Sequence, residues 1–191
     1  MTEIVVEVLC DGWIRKVEDV LIEAHSSVSL IRLESSNIIV DTSTREYRGK
    51  ILAALDRLGI GCDEVDIVVN THLHHDHIAN NDLFQNATFI AHVSEGPSKE
   101  YRTVGRDLEL GRGVRLIHTP GHTPGSLSVF VESCVRYAIA GDALPTHENY
   151  LRWVPPGLNY DSDVALASMN EIVAFADIVV PGHGAPFKID R

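Results

Sequence analysis

His72-Leu73-His74-His75-Asp76-His77 sets four candidate metal ligands, His72, His74, Asp76 and His77, inside one short segment. A helical metal-binding pair needs histidines at i and i+4 on one face, and this spacing does not supply them. Histidines at i and i+2 suit an extended or tightly turned chain, in which alternate side chains share a face. His74 therefore sides with His72, and a turn at Asp76-His77 can aim that pair at a neighbouring ion. Imidazole and carboxylate donors suit zinc, iron, manganese or cobalt, and the lack of thiolate argues against a purely structural zinc site. A histidine-rich surface loop with no physiological metal is the weaker alternative at this point.

Working outward, the residues before the segment, Val68-Val69-Asn70, read as a strand running into Thr71-His72. The same arrangement recurs three times. Ile117 leads to His118-Thr119-Pro120-Gly121-His122, Ile139-Ala140 to Gly141-Asp142, and Val179-Val180 to Pro181-Gly182-His183. Four strands would thus deliver histidines or carboxylates to one shared edge, as reactive loops on a rigid scaffold commonly do. Short apolar, β-branched runs predict strands at Ile4–Leu9, Val28–Leu33, Ile38–Val40, Ile67–Val69, Thr88–Ala91, Val114–Ile117, Leu127–Val131, Tyr137–Ala140 and Ile178–Val180. Two helices are expected. One is capped by Thr44, runs to Leu58 and stops at Gly59; the other is capped by Asp161 or Ser162 and covers Asp163–Phe175. Strand-rich blocks alternating with helical ones suit sheets covered by helices.

The ordered elements His72-x-His74-x-Asp76-His77, Pro120-Gly121-His122-Thr123-Pro124-Gly125-Ser126, Ala140-Gly141-Asp142 and Pro181-Gly182-His183-Gly184 resemble the metallo-β-lactamase superfamily, over roughly Ser29 to Phe187. The resemblance implies an α/β fold, the four-layer αββα sandwich of two mixed β-sheets with helices outside. It also implies two divalent metal ions, with Zn2+ the first choice and Fe or Mn the alternatives. His72, His74 and His122 would hold one ion; Asp76, His77 and His183 would hold the other; Asp142 would bridge them. The implied activity is hydrolysis by a hydroxide shared between the metals, with Asp76 and Asp142 as the catalytic carboxylates. One zinc alone lowers the pKa of bound water from about 15.7 to about 7. An Asp at 142, where some zinc β-lactamases carry cysteine, aligns the chain with the glyoxalase II-like branches.

Val40-Asp41-Thr42, Asn80-Asn81-Asp82-Leu83-Phe84 and Val180–Phe187 further resemble the short, single-domain branch typified by metallo-β-lactamase domain-containing protein 1. Only eight residues follow His183, so the helical extension with which glyoxalase II binds its thioester is not expected. The leading expectation is a hydrolase of a small ester, thioester or lactone. An iron-dependent persulfide dioxygenase and a phosphodiesterase or ribonuclease are the alternatives.

Composition narrows the partners. A formal charge of −11, from 16 basic and 27 acidic residues, disfavours nucleic acid and anionic membranes. A small-molecule substrate is expected, with a homodimer unsurprising. The chain of 191 residues fits a single domain over 1–191. Cys10, Cys62 and Cys134 form no paired motif, which fits a reducing compartment. Met1–Val6 lacks the basic start of a signal peptide and no run reaches the length of a membrane span, so a cytoplasmic location is expected.

The remaining histidines divide by context. His25 and His92 read as structural, His75 as pointing away from the metals, and His118 as a packing residue before it is a partner of a ligand. His147 is a candidate pocket residue, as are Tyr150, Trp153 and Tyr160 in the Glu148–Asp161 stretch, whose Pro155-Pro156-Gly157 and lack of periodicity predict a loop overhanging the metals.

Overall fold

A computed structural model describes residues 4–18 and 20–190; the start of the Met1–Val6 stretch lies outside them. The chain begins with β1 (Val5–Cys10), β2 (Trp13–Val17), β3 (Val20–His25), β4 (Val28–Arg32) and β5 (Asn37–Val40), then α1 (Arg48–Arg57), β6 (Ile67–Val69) and the short α2 (His75–Ile78). It continues through β7 (Thr88–His92), β8 (Arg102–Val104), β9 (Leu108–Gly111), β10 (Val114–His118), β11 (Leu127–Glu132) and β12 (Arg136–Gly141). The last elements are α3 (His147–Arg152), α4 (Ser162–Phe175), β13 (Ile178–Pro181) and β14 (Phe187–Lys188).

Two mixed sheets form, in the orders β1-β4-β5-β6-β7-β8 and β14-β13-β12-β11-β10-β9, and β2-β3 makes a separate hairpin. In the first sheet β5, β6, β7 and β8 run parallel. In the second, β12 and β13 run parallel and the other pairs are antiparallel.

Residue alternation along these strands builds the layers. Ile31, Ile38, Val40, Val69 and Ile90 from the first sheet meet Leu116, Leu127, Val129, Ile139 and Val180 from the second in a central core. Their chain neighbours point outward. Leu30, Ile39 and Val68 pack under Ile51 and Leu55 of α1, and Ile117, Phe130, Ala138 and Val179 pack under Met169 and Ile172 of α4. Strand side chains alternate faces, so hydrophobic residues at consecutive positions require a cover on both sides of each sheet. The result is the αββα sandwich. Each fully buried branched side chain contributes about 1.5–3 kcal/mol, which makes the sheet edges a stiff platform for loops.

Local chemistry moved some boundaries. The helix expected from Thr44 is a 3-10 turn, Arg45–Tyr47, followed by α1. Thr44 does not cap it, because its hydroxyl lies 2.5 Å from His25 Nδ1 instead. Asp161 does cap α4: its Oδ1 accepts from the backbone N–H groups of Asp163 and Val164 at 3.0 and 3.1 Å. Gly59 ends α1's exit turn at φ +67°, a left-handed conformation in which a side chain is strained. The overhanging stretch holds one regular element, α3, whose cap Thr146 accepts from Asn149 N at 3.3 Å. Among the described residues no helix is long and apolar enough to cross a membrane.

Candidate metal centre

Strand direction puts the polar loops at one edge. Asp41 follows β5 and Thr71-His72 follows its parallel neighbour β6; Asp142 follows β12 and Gly182-His183 follows its parallel neighbour β13. β10 is two antiparallel steps from β12 and so runs the same way, carrying the loop of His122 to that edge. Loops beyond the carboxyl ends of parallel strands are where open α/β sheets place ligands.

There the candidate donors converge. One atom from each of His72, His74 and His122 forms a group whose members lie within 4.8 Å of one another, and so does one from each of Asp76, His77 and His183. His72, His77 and Asp142 form a third set with the same spread, joining the two. Asp142 lies between: its Oδ1 is 3.2 Å from His183 Nε2 and 3.5 Å from His77 Nε2, while its Oδ2 is 3.4 Å from His122 Nε2. His74 Nδ1 sits 3.0 Å from His122 Nε2, and Asp76 Oδ2 sits 3.6 Å from His183 Nε2. His72, His77, His122, Asp142 and His183 are buried, whereas His74 is exposed and Asp76 half-buried, so the arrangement opens on their side.

These residues fit a pair of cations. The Nε2 atoms of His72 and His77 and the Oδ1 of Asp142 are buried and accept or donate no hydrogen bond. Leaving such groups unmatched costs about 1–3 kcal/mol each, and a cation between them removes that cost. The opposite ring nitrogens are matched. His77 Nδ1 meets Asp41 Oδ2 at 2.7 Å, His122 Nδ1 the Leu158 carbonyl at 2.7 Å, and His183 Nδ1 the His25 carbonyl at 2.9 Å. His72 Nδ1 is 3.2 Å from the Thr71 hydroxyl. A carbonyl or carboxylate at Nδ1 holds the proton there and turns the Nε2 lone pair inward, as ligating histidines require.

Two glycines make room. A Cβ on Gly182 would lie 2.0 Å from Asp142 Oδ1, so only glycine lets that carboxylate rest against the backbone. Gly121, at φ +137°, has the Ala165 Cα only 2.3 Å from where its Cβ would stand.

Electrostatics follow from the crowding. Burial pushes His72 well below the ordinary histidine value, and neighbouring His77 adds to the effect. Burial opposes ionisation of Asp142, but His183 and His77 outweigh it and hold its carboxyl well below the usual range. Burial likewise opposes charge on His77, yet Asp41 and Asp142 raise it well above the ordinary value.

The His147 ring stacks on Phe187 at 4.3 Å, with Tyr150 on the same ring at 5.5 Å. Trp153 is exposed at the left-handed end of α3. Tyr160 is exposed too, but its N–H bonds the Gly121 carbonyl at 2.9 Å, beside His122. His118 stacks on His92 at 4.1 Å and reaches the Pro124 carbonyl, which makes it a support of the His122 loop. His75 is exposed. Sequence reading singled out Asp41 only within Val40-Asp41-Thr42 and missed its role beside His77, and it missed the His25 and Leu158 carbonyls. Asp41 repeats the strand-then-carboxylate pattern and could have been found by it; backbone carbonyls leave no mark in a sequence.

The family profile of the metallo-β-lactamase superfamily matches residues 22–107 and 97–183. A probable metallo-hydrolase of Methanocaldococcus jannaschii is 38% identical over 182 residues, 95% of this chain and 87% of that protein. The chain belongs to the metallo-β-lactamase superfamily. Within the superfamily it is also similar to mouse metallo-β-lactamase domain-containing protein 1, 35% identical over 195 residues, 96% of this chain and 74% of that one. The N-acyl homoserine lactonase of Bacillus thuringiensis is 30% identical over 151 residues, 70% of this chain and 59% of the lactonase. The structure of a point mutant of Bacillus thuringiensis AiiA, with N-decanoyl-L-homoserine bound at its active site, shares the fold, with TM-score 0.73 at 24% identity over 95% and 92% of the two chains. The chain is thus a metallo-hydrolase of the β-lactamase superfamily, with His and Asp groups able to bind metal.

Proposed function

We propose that the chain is a binuclear hydrolase of small esters, lactones foremost, with His72, His74 and His122 holding one divalent ion and Asp76, His77 and His183 the other. The observation that carries this reading is Asp142, whose two oxygens face the two donor groups within 3.5 Å. The nitrogen and oxygen donors suit Zn2+ first, with iron and manganese sharing the same donor preference. Bound there, such ions would supply Lewis acidity, lowering the pKa of water and polarising a substrate carbonyl oxygen. The protein's own part is to orient and to shuttle protons. Asp142 is kept ionised by the histidines around it, and half-buried Asp76 stands at the open side, where its carboxylate can orient the attacking water and take its proton.

Likeness to a lactonase supports the substrate class, as does the charge of −11, which repels polyanionic phosphodiesters. The test is elemental analysis of the purified chain with a screen of N-acyl homoserine lactones, thioesters, phosphodiesters and RNA, alongside oxygen uptake with a persulfide. Close to two zinc or manganese ions per chain, lactone or ester turnover, and its loss in His122→Ala are expected. One iron with persulfide-dependent oxygen uptake, or cleavage of phosphodiesters alone, overturns the proposal.

A further inference from the structure

Outside the ligand set, one carboxylate touches both loops of the first donor group. Glu95 Oε2 accepts the N–H of Leu73, the residue between His72 and His74, at 3.0 Å. Its Oε1 accepts the N–H of Gly125, three residues beyond His122, at 3.0 Å. These loops follow different sheets, the first leaving β6 and the second β10, so the side chain ties the two sheets together at the edge where the donors meet.

Glu95 is itself fixed in place. It ends a single 3-10 turn, Val93–Glu95, whose first residues are capped by the His92 ring through the Ser94 N–H at 3.2 Å. Gly96 then leaves that turn at φ +63°. Position 125 shows how close the fit is: a Cβ there would lie 2.6 Å from Glu95 Oε1 and 2.9 Å from the Glu95 backbone nitrogen. The carboxylate needs a bare backbone against it.

We infer that Glu95 is a positioning residue for the first metal site, a clamp that sets the separation of His72 and His74 from His122. The inference rests on the reading of these histidines as metal ligands. A backbone N–H cannot be turned round or replaced, so both carboxylate oxygens are needed to hold both loops. Without the clamp, the backbone bond from the Leu127 N–H to the Thr71 carbonyl at 2.8 Å still joins the sheets behind the loops, but the tie from Leu73 to Gly125 is lost and the spacing of His74 Nδ1 and His122 Nε2, now 3.0 Å, loosens. The second group, held through Asp41 and the His25 carbonyl, does not depend on Glu95.

The experiment is a cobalt(II) titration of the metal-stripped chain against a competing chelator, read by visible absorbance, in wild type, Glu95→Ala and Glu95→Gln. Partners that orient ligands cost about 10–100-fold in metal affinity when lost. Glu95→Ala should weaken one of the two cobalt sites by at least about tenfold, alter its absorbance bands, and leave the other site within a few-fold of wild type. Glu95→Gln keeps the shape and one acceptor and should fall between. Leu55→Ala, on the buried face of α1, is the control: it should lower Tm and leave both affinities alone. Wild-type affinities and spectra in Glu95→Ala and Glu95→Gln overturn the clamp. So does an equal loss at both sites, or a loss matched by Leu55→Ala. A wild-type chain that binds no cobalt overturns the metal reading first and the clamp with it.

Discussion

Asp41→Asn changes one oxygen to an amide nitrogen and should separate orientation from packing at the second donor group. Asp41 accepts three hydrogen bonds: the Thr71 N–H at 2.8 Å on Oδ1, and the Thr71 hydroxyl and His77 Nδ1 at 2.7 Å each on Oδ2. An asparagine has one acceptor. If its carbonyl keeps the Thr71 N–H, its NH2 faces Thr71 Oγ1, which can rotate to accept, and His77 Nδ1, which can accept only as the other tautomer. That tautomer carries its proton on Nε2, the atom pointing at Asp142, and cannot ligate. If the amide turns round instead, His77 is kept and the buried Thr71 N–H faces a donor, at a cost of about 1–3 kcal/mol.

The first outcome predicts a loss of about 10–100-fold in affinity for the ion nearest His77, equal to about 1.4–2.7 kcal/mol. The second predicts the same order of loss in folding stability at unchanged affinity. Chelator competition reads the first and denaturant unfolding of the stripped protein reads the second. Asp41→Asn with wild-type affinity and wild-type stability would refute the reasoning, because no arrangement of one acceptor satisfies all three donors.

Three further outcomes follow from the same geometry. In Gly182→Ala, a Cβ 2.0 Å from Asp142 Oδ1 must displace that carboxylate by about 1 Å, which should cost about a hundredfold in kcat with a fall in bound metal; unchanged kcat and metal content would count against Asp142 as the shared group. Metal affinity should fall as pH falls: burial opposes a proton on His77 and His183, but the neighbouring carboxylates raise both above the ordinary value, and a cation must displace each such proton at about tenfold in affinity per pH unit. Zinc competition at pH 8, 7 and 6 measures that slope. Alkylation mapped by mass spectrometry should label exposed Cys134 first, while Cys10, buried with its thiol pushed up to about 11, reacts only once the chain unfolds.

What was legible in the sequence was whatever repeats with a short period or sits next to a strand. Ile67-Val68-Val69, Ile139-Ala140 and Ile178-Val179-Val180 declare strands, and the donors shortly after them, His72, Asp142 and His183, were visible for the same reason. The β2–β3 hairpin was missed because it lies outside both sheets, with Trp13, Val17 and Ile22 exposed, so these apolar side chains do not mark a core-facing side. Thr44 misled because cap chemistry and side-chain pairing use the same hydroxyl, and here His25 took it. His147 and Tyr150 were legible as pocket candidates by residue type alone; their stack on Phe187 is a contact that composition does not signal.

The unread part of the site has one physical character. His77 is oriented by Asp41, 36 residues earlier; His122 by Leu158, 36 residues later; His183 by the carbonyl of His25, 158 residues away. A motif can specify which atoms are able to bind a cation, because that depends on residue type. It cannot specify where their lone pairs point, because that depends on acceptors supplied by segments distant in the chain, two of them backbone oxygens with no side chain to signal them. The donors are therefore a property of four loops, while their orientation is a property of the assembled fold. On the proposed metal reading, binding and tertiary packing are linked: whatever shifts the end of β3 or the segment before α4 reaches a donor histidine through a single hydrogen bond.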